Sequence, residues 1–333
     1  MRNIAKLGAE SRQELFTAAA NKMNVSEAII EKDFWVCFTL DYLFHHCKWK
    51  NAFAFKGGTS LSKAYNLIER FSEDIDLILD WRVLGYGIRE PWEERSNTKQ
   101  QKFLDDAKNR LFRFLKEDFM PEFENDMRTF INEKFTVYIS DDDSGTVRFV
   151  YPHAFSDTAI LSEIRLEIGA MAAWTPTQYV KIKPYCAEIY PQVFEKTETT
   201  ILTTTPERTF WEKATILHQE ALRPKGSMVP IRYSRHYYDL FCMSNSSVKD
   251  AALNNPMLLQ EVSKFKAKFY PRKWARYDLA KAGTIKLMPA EHSIEKLKED
   301  YRAMQSMIYG IYPSFDEILK TIRKLENEIN CNE

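Results

Sequence analysis

The sequence predicts an α+β protein, with a mixed-sheet lobe in the first half and a mostly helical lobe in the second. Three observations carry this prediction. Short apolar strands alternate with helices before about residue 190. Beyond Thr205-Pro206 the regular segments read as amphipathic helices. Only 10 glycines occur in 333 residues, and no Gly- or Ser-rich tether separates the halves. The spacing therefore predicts one lobe over residues 1–195 and a second over 196–333, with the boundary near 190–205.

Each element follows from local pattern. Ser26 is an N-cap candidate for a helix running to about His46, with Ile29, Ile30, Phe34 and Val36 behind it. A short strand, Phe53-Ala54-Phe55, meets Lys56-Gly57-Gly58-Thr59, and a helix is expected from there to about Ile68. The alternation in Asp74–Asp80 predicts a strand, and Lys99–Lys116 a helix. Further strands are expected at Phe135–Ser140, Thr146–Tyr151 and Ile164–Ile168, with Asp141–Gly145 as a hairpin turn. Thr205 followed by Pro206 at a first helical position opens a helix to about Ala221. Helices are expected again at Ser234–Cys242, Pro256–Phe269, Ser293–Tyr309 and Ser314–Ile329.

Composition narrows the class of protein. With 47 Lys+Arg against 47 Asp+Glu, and 44 % hydrophobic residues, the chain is neither disordered in composition nor coated in positive charge. No apolar run approaches the roughly 18 residues of a membrane span, and no apolar region follows Met1–Lys6, so no membrane association is expected. The five cysteines, Cys37, Cys47, Cys186, Cys242 and Cys331, form no CxxC pair or Cys/His cluster. They read as free thiols of a reducing cytoplasm.

The most informative residues are Asp74 and Asp76. Two apart on a strand, they project to one face while Ile75, Leu77 and Leu79 project to the other. Two adjacent carboxylates repel, and a divalent cation relieves that repulsion. Mg²⁺ takes one or two carboxylates and completes its shell with water and substrate phosphates. The pattern therefore suits metal-dependent phosphoryl or nucleotidyl transfer. Gly57 and Gly58 open the preceding helix without Cβ hindrance, so their backbone N–H groups can approach a phosphate. Thr59 or Ser60 is expected to cap that helix and offer a hydroxyl to the same phosphate.

The segments Lys56-Gly57-Gly58-Thr59-Ser60-Leu61 and Arg70-Phe71-Ser72-Glu73-Asp74-Ile75-Asp76-Leu77 together resemble the first motif of the AbiEii/AbiGii family of nucleotidyltransferase toxins. That family lies within the DNA polymerase β-like nucleotidyltransferase superfamily. Ile164–Ala170 resembles its later strand, Pro206–Lys213 its Glu-Lys helix, and Arg235–Leu240 its Arg-x-x-Tyr-Asp-Leu motif. Leu287–Pro289, Asp300-Tyr301 and Met307–Gly310 resemble one branch of the family, so the likeness spans roughly residues 50–320. The resemblance implies a polymerase-β-like first lobe and transfer of an NMP from an NTP to an acceptor hydroxyl. It also implies Mg²⁺ or Mn²⁺ as cofactor, tRNA as acceptor, and a cognate antitoxin as partner. The biological setting would be a toxin–antitoxin or abortive-infection system.

Carried over residue by residue, the resemblance assigns Asp74, Asp76 and Glu167 to the metal, with Glu167 bound directly or through water and helping to deprotonate the acceptor. Lys56, Gly57, Gly58, Thr59, Ser72 and Lys213 would contact the nucleotide. Ser72 shares the site-facing side of its strand, as a phosphate ligand, a nucleotide acceptor or a structural hydroxyl. Asp239 would activate the acceptor or orient Lys213. Spacing by itself gives Arg235 and Asp239 a modest i,i+4 ion pair. His153, His218 and His236 have no metal-ligand spacing and read as structural or surface residues. Asp141–Asp143 reads as a solvated turn, because it lacks a calcium-loop pattern.

Neutral total charge hides one basic stretch. Residues 264–286 hold eight Lys or Arg against Asp278 alone, a local charge of +7. Phe265, Phe269, Tyr270, Trp274 and Tyr277 are interleaved. One reading is an acceptor site, with Arg272, Lys273 and Arg276 on phosphates and the rings stacked on bases. The other is a solvated cationic face over a buried aromatic stripe. Two readings of other classes stand beside the transferase: a nucleotide- or RNA-binding module without transfer, and an enzyme that modifies protein hydroxyls.

Overall fold

The computed structural model describes the chain apart from residues 73, 141–142, 158–159, 172–174 and 332–333. Internal packing divides it into two compact units, Met1–Ala64 with Ser72–Thr204, and Tyr65–Phe71 with Thr205–Glu333.

The first unit opens with helices α1 (Arg2–Ala5), α2 (Ala9–Met23) and α3 (Glu27–His45). Ser26 caps α3 as expected, its hydroxyl accepting from the Ala28 N–H at 3.3 Å. Then come β1 (Phe53–Lys56), α4 (Gly57–Lys63), β2 (Asp74–Leu79), α5 (Asn97–Phe114) and α6 (Met120–Phe130). They are followed by β3 (Thr136–Ser140), β4 (Asp143–Val150), β5 (Ile164–Gly169), β6 (Thr177–Ile182), α7 (Tyr185–Ile189) and β7 (Thr199–Thr204). The strands form one mixed seven-stranded sheet in the order β3-β4-β5-β2-β1-β7-β6. β2 runs parallel to β5 and β1 parallel to β7; the other pairs are antiparallel.

Register decides what each face carries. Leu77 lies opposite Phe55 and Ile168, and Leu166 lies opposite Ile75 and Val147. These six side chains are buried and share a face. The aromatic cluster of this unit packs there. Trp35 of α3 meets Phe149 edge-on at 6.2 Å, and Phe123 of α6 meets the same ring at 5.5 Å. Such pairs add about 0.5–1.5 kcal/mol each beyond their buried area. The opposite face carries Lys56, Asp74, Asp76, Arg165 and Glu167, which are half-buried.

The second unit contains α8 (Pro206–Ala221), α9 (Ser234–Ser244), α10 (Val248–Leu253), α11 (Pro256–Phe269), α12 (Glu291–Ala303) and α13 (Phe315–Cys331). Residues 69–71 run along 307–311. The Phe71 N–H donates to the Met307 carbonyl at 2.7 Å, and the Tyr309 N–H to the Glu69 carbonyl at 3.0 Å.

The fold thus has the expected α+β class, with a mixed-sheet lobe followed by a mostly helical one. Several local expectations need correction. α4 stops at Lys63 instead of about Ile68, because Asn66 takes a left-handed φ of 51° and residues 69–71 pair with 307–311. The same pairing ends α12 at Ala303, short of Tyr309. Asp143–Gly145 begin β4 and are not turn residues, while Asp141 and Asp142 lie outside the described residues. β6 and β7 were not foreseen, and β7 places residues 199–204 in the sheet.

Candidate active site

Two groups of polar side chains stand out, one in each unit. In the first, Asp76 lies opposite Glu167 on β5 and opposite Lys56 on β1, and Asp74 lies opposite Arg165. Gly57 has φ +81° at the start of α4, and a Cβ there would collide with the Asp76 carboxylate. The glycine is therefore required twice, by its backbone conformation and by the carboxylate that fills its missing side chain's place.

Arg165 sits among the acids. Its guanidinium lies 3.1 Å from Glu167, 3.6 Å from Asp143 and 3.8 Å from Asp74. The expected acidic set thus gathers partly around an internal cation. Among the described residues, no three His, Cys, Asp or Glu side chains stand together closely enough to hold a metal ion. Asp74 and Asp76 fit an ion that draws the rest of its shell from water and phosphate, and the Asp76 carboxylate already has its cradle at Gly57. Glu167, paired with Arg165, adds no third ligand in this arrangement. Glu73 of the same motif lies outside the described residues.

The hydroxyls behave otherwise than expected. Thr59 and Ser60 are buried and point inward. The Thr59 hydroxyl donates to the Asp74 carbonyl and stands 2.9 Å from the Ser72 hydroxyl. The Ser60 hydroxyl donates to the Gly57 carbonyl at 2.8 Å. Neither caps α4, which starts three residues earlier than a Thr59 cap requires, with Lys56 at the N-cap position. Thr59 ties the glycine turn to β2 and holds Asp74 in register with it.

The second group is buried. Asp239 on α9 is 0 % exposed and Arg70 3 %. The guanidinium grips the carboxylate in a fork, Nε to Oδ1 at 2.7 Å and Nη2 to Oδ2 at 2.9 Å. Lys213 on α8, 6 % exposed, donates to the same Oδ2 at 2.7 Å. Burial alone would raise the Asp239 carboxyl, but Arg70 and Lys213 overcome it and hold it well below the usual carboxylate range. Burial pulls the Lys213 ammonium below its ordinary value, with Asp239 opposing. Lys213 also meets Nδ1 of His236 at 3.2 Å.

Asp239 therefore pairs with Arg70 and Lys213, and not with Arg235 four residues before it. Both carboxylate oxygens are engaged, an arrangement suited to orienting Lys213 and poorly suited to accepting a proton from an acceptor. His236, expected to be structural or at the surface, is buried beside the lysine. Arg70, Arg165 and His236 stand inside the quoted motifs, but spacing alone gives none of them a place in a site.

In the basic stretch, Arg272, Lys273 and Arg276 are exposed. Arg276 is paired with Asp278 at 2.7 Å. Phe265, Phe269 and Tyr277 are buried, and Trp274 packs with Tyr277 and Ala280. Phe265, Phe269 and Tyr277 follow the core reading, while Trp274 is half-buried and Tyr270 is 49 % exposed.

The first unit thus carries a glycine turn beside a carboxylate pair on a strand, and the second a buried cluster of Arg70, Lys213 and Asp239. The family model described as nucleotidyl transferase AbiEii toxin, type IV TA system, matches residues 41–321, and the chain belongs to that family. It is thus a nucleotidyltransferase, the toxin component of a type IV toxin–antitoxin system. Among solved structures, MenT4, a nucleotidyltransferase toxin from Mycobacterium tuberculosis H37Rv, is similar at 14 % identity, over 95 % of this chain and 98 % of that one, with a TM-score of 0.46. JHP933 from Helicobacter pylori is similar at 14 % identity, over 92 % and 95 % of the two chains, with a TM-score of 0.42. No curated protein matches the sequence. No helix among the described residues is long and apolar enough to cross a membrane.

Proposed function

We propose that the protein moves an NMP from an NTP to a hydroxyl of an RNA acceptor, with tRNA as the acceptor class, and that a cognate antitoxin restrains it. The observation that carries this reading is the Asp74–Asp76 pair, held on one face of β2 with the Asp76 carboxylate seated against Gly57. Asp74 and Asp76 would hold Mg²⁺ or Mn²⁺, which supplies charge neutralisation at the phosphates. The backbone of Gly57 and Gly58 approaches the triphosphate, with Lys56 beside it. Lys213 meets a phosphate oxygen as a point charge, oriented by Asp239. Thr59 and Ser72 shape the turn. Glu167 takes the acceptor's proton, directly or through water, with Arg165 holding its carboxylate. The acceptor oxygen forms a bond to the α-phosphorus, the bond to the bridging oxygen breaks, and pyrophosphate leaves.

Incubation with each labelled NTP, Mg²⁺ or Mn²⁺, total RNA and total protein tests this directly. Label is expected in the RNA fraction and is expected to vanish with Asp74→Ala plus Asp76→Ala. Label in protein alone would favour modification of protein hydroxyls, and no label in either fraction would leave only a binding module. Arg272, Lys273 and Arg276 are the proposed phosphate contacts of the acceptor. Replacing all three by Ala should make log K against log salt shallower by up to about 2–3. An unchanged slope removes them from the acceptor site.

A further inference from the structure

The surroundings of Lys213 count its hydrogen bonds. An ammonium has three N–H donors and no acceptor. Oδ2 of Asp239 takes one at 2.7 Å, and Nδ1 of His236 stands 3.2 Å away. Because a lysine can only donate, Nδ1 of His236 must accept, and the imidazole is then neutral with its proton on Nε2. Burial and the neighbouring Lys213 and Arg235 push the imidazole well below its ordinary value, consistent with that tautomer. The groups facing it are Lys213 from α8, Asp239 and Arg235 from α9, and Arg70 from the 65–71 segment. The ring is held edge-on by Tyr233 at 4.8 Å, so its acceptor is fixed in direction.

We propose that His236 is a positioning residue for Lys213: with Asp239 it fixes two of the three Nζ–H bonds, leaving the third directed at a phosphate oxygen of the bound NTP. Asp239 alone would let the ammonium spin about its Cε–Nζ bond and swing on its stem. Two acceptors on different sides remove that freedom before the nucleotide arrives, which lowers the ordering cost of binding. The inference rests on the reading of Lys213 as the triphosphate lysine.

The test is equilibrium binding of each of the four labelled NTPs with Mg²⁺ to the full chain, compared across three variants. His236→Leu removes the acceptor, and His236→Asn keeps an acceptor oxygen near the Nδ1 position. Lys213→Met removes the donor itself. Affinity is expected to fall about tenfold in His236→Leu, the scale of one misplaced charged hydrogen bond. In His236→Asn it should return to within roughly twofold of wild type at similar thermal stability. Wild-type affinity in His236→Leu, or an Asn variant as weak as the Leu variant, overturns the proposal. If Lys213→Met leaves binding unchanged, the reading of Lys213 fails as well. If it weakens binding while His236→Leu does not, the inference alone fails. Should the Leu variant not fold, ¹⁵N shifts of His236 in the wild type decide the matter, because a proton found on Nδ1 excludes the proposed hydrogen bond.

Discussion

Gly57 shows how one residue can be settled by two independent demands. Its φ of +81° costs other residues about 1–2 kcal/mol, and the Asp76 carboxylate occupies the place of a Cβ. Gly57→Ala is therefore expected to lower stability by at least about 1–2 kcal/mol in denaturant titration. It should also abolish labelled transfer by displacing Asp76. A Gly57→Ala protein with full transfer would show that Asp76 is free to work elsewhere. The same scale explains why Asp239 does not form the i,i+4 pair with Arg235 that spacing alone predicts. Helix spacing brings i and i+4 together, but a buried carboxylate takes the donors that best neutralise it. Here those are the planar fork of Arg70 and the point charge of Lys213, contributed from distant parts of the sequence.

At the level of elements, α9 carries both His236 and Asp239, so its entry must be held. Asp300 of α12 does this. Its carboxylate accepts from the Arg232 N–H at 2.6 Å, from the Ser234 N–H at 2.9 Å and from the Ser234 hydroxyl. Helix N-termini leave N–H groups without intrahelical partners, and a carboxylate there also meets the positive end of the helix dipole. Asp300→Ala should cost about 0.5–2 kcal/mol, measured by thermal or denaturant unfolding. It should also weaken NTP binding through α9, and a variant as stable as wild type would deny Asp300 this role. Strand alternation was legible in β1, β2 and β5 because period 2 is a local property. β7 was not foreseen: Thr199, Thr203 and Thr204 are polar in sequence yet buried in place. Their burial comes from sheet order, which no short window contains.

For the whole molecule, protonation at mildly acidic pH is the broadest consequence. His218 accepts the Lys286 N–H at Nδ1, 3.0 Å, and its Nε2 lies 3.1 Å from the Arg276 carbonyl. Both His218 and His236 are held below their ordinary value, by burial first. The unfolded chain takes up protons on them near pH 6.5 while the folded chain does not. Stability should therefore fall as pH drops below about 6.5, by up to about 1.4 kcal/mol per pH unit for each histidine, until the folded value is reached. Unfolding free energies between pH 7 and 5 check this, and His236→Asn should flatten the slope. A slope identical in the two proteins would remove His236 from the effect.

What the sequence by itself determined was local. It specified the glycine turn, the alternation that sets Asp74 and Asp76 apart from Ile75 and Leu77, the helix starts at Ser26 and Pro206, and the motifs that mark the family. Each depends on neighbours within a few residues. Only the tertiary structure decided which charges meet. Arg165 stands among Asp74, Asp143 and Glu167, and Arg70 with Lys213 closes on Asp239 beside His236. The physical reason is that a charge leaving water must be compensated wherever the fold brings it, and the compensating group need not be near in sequence.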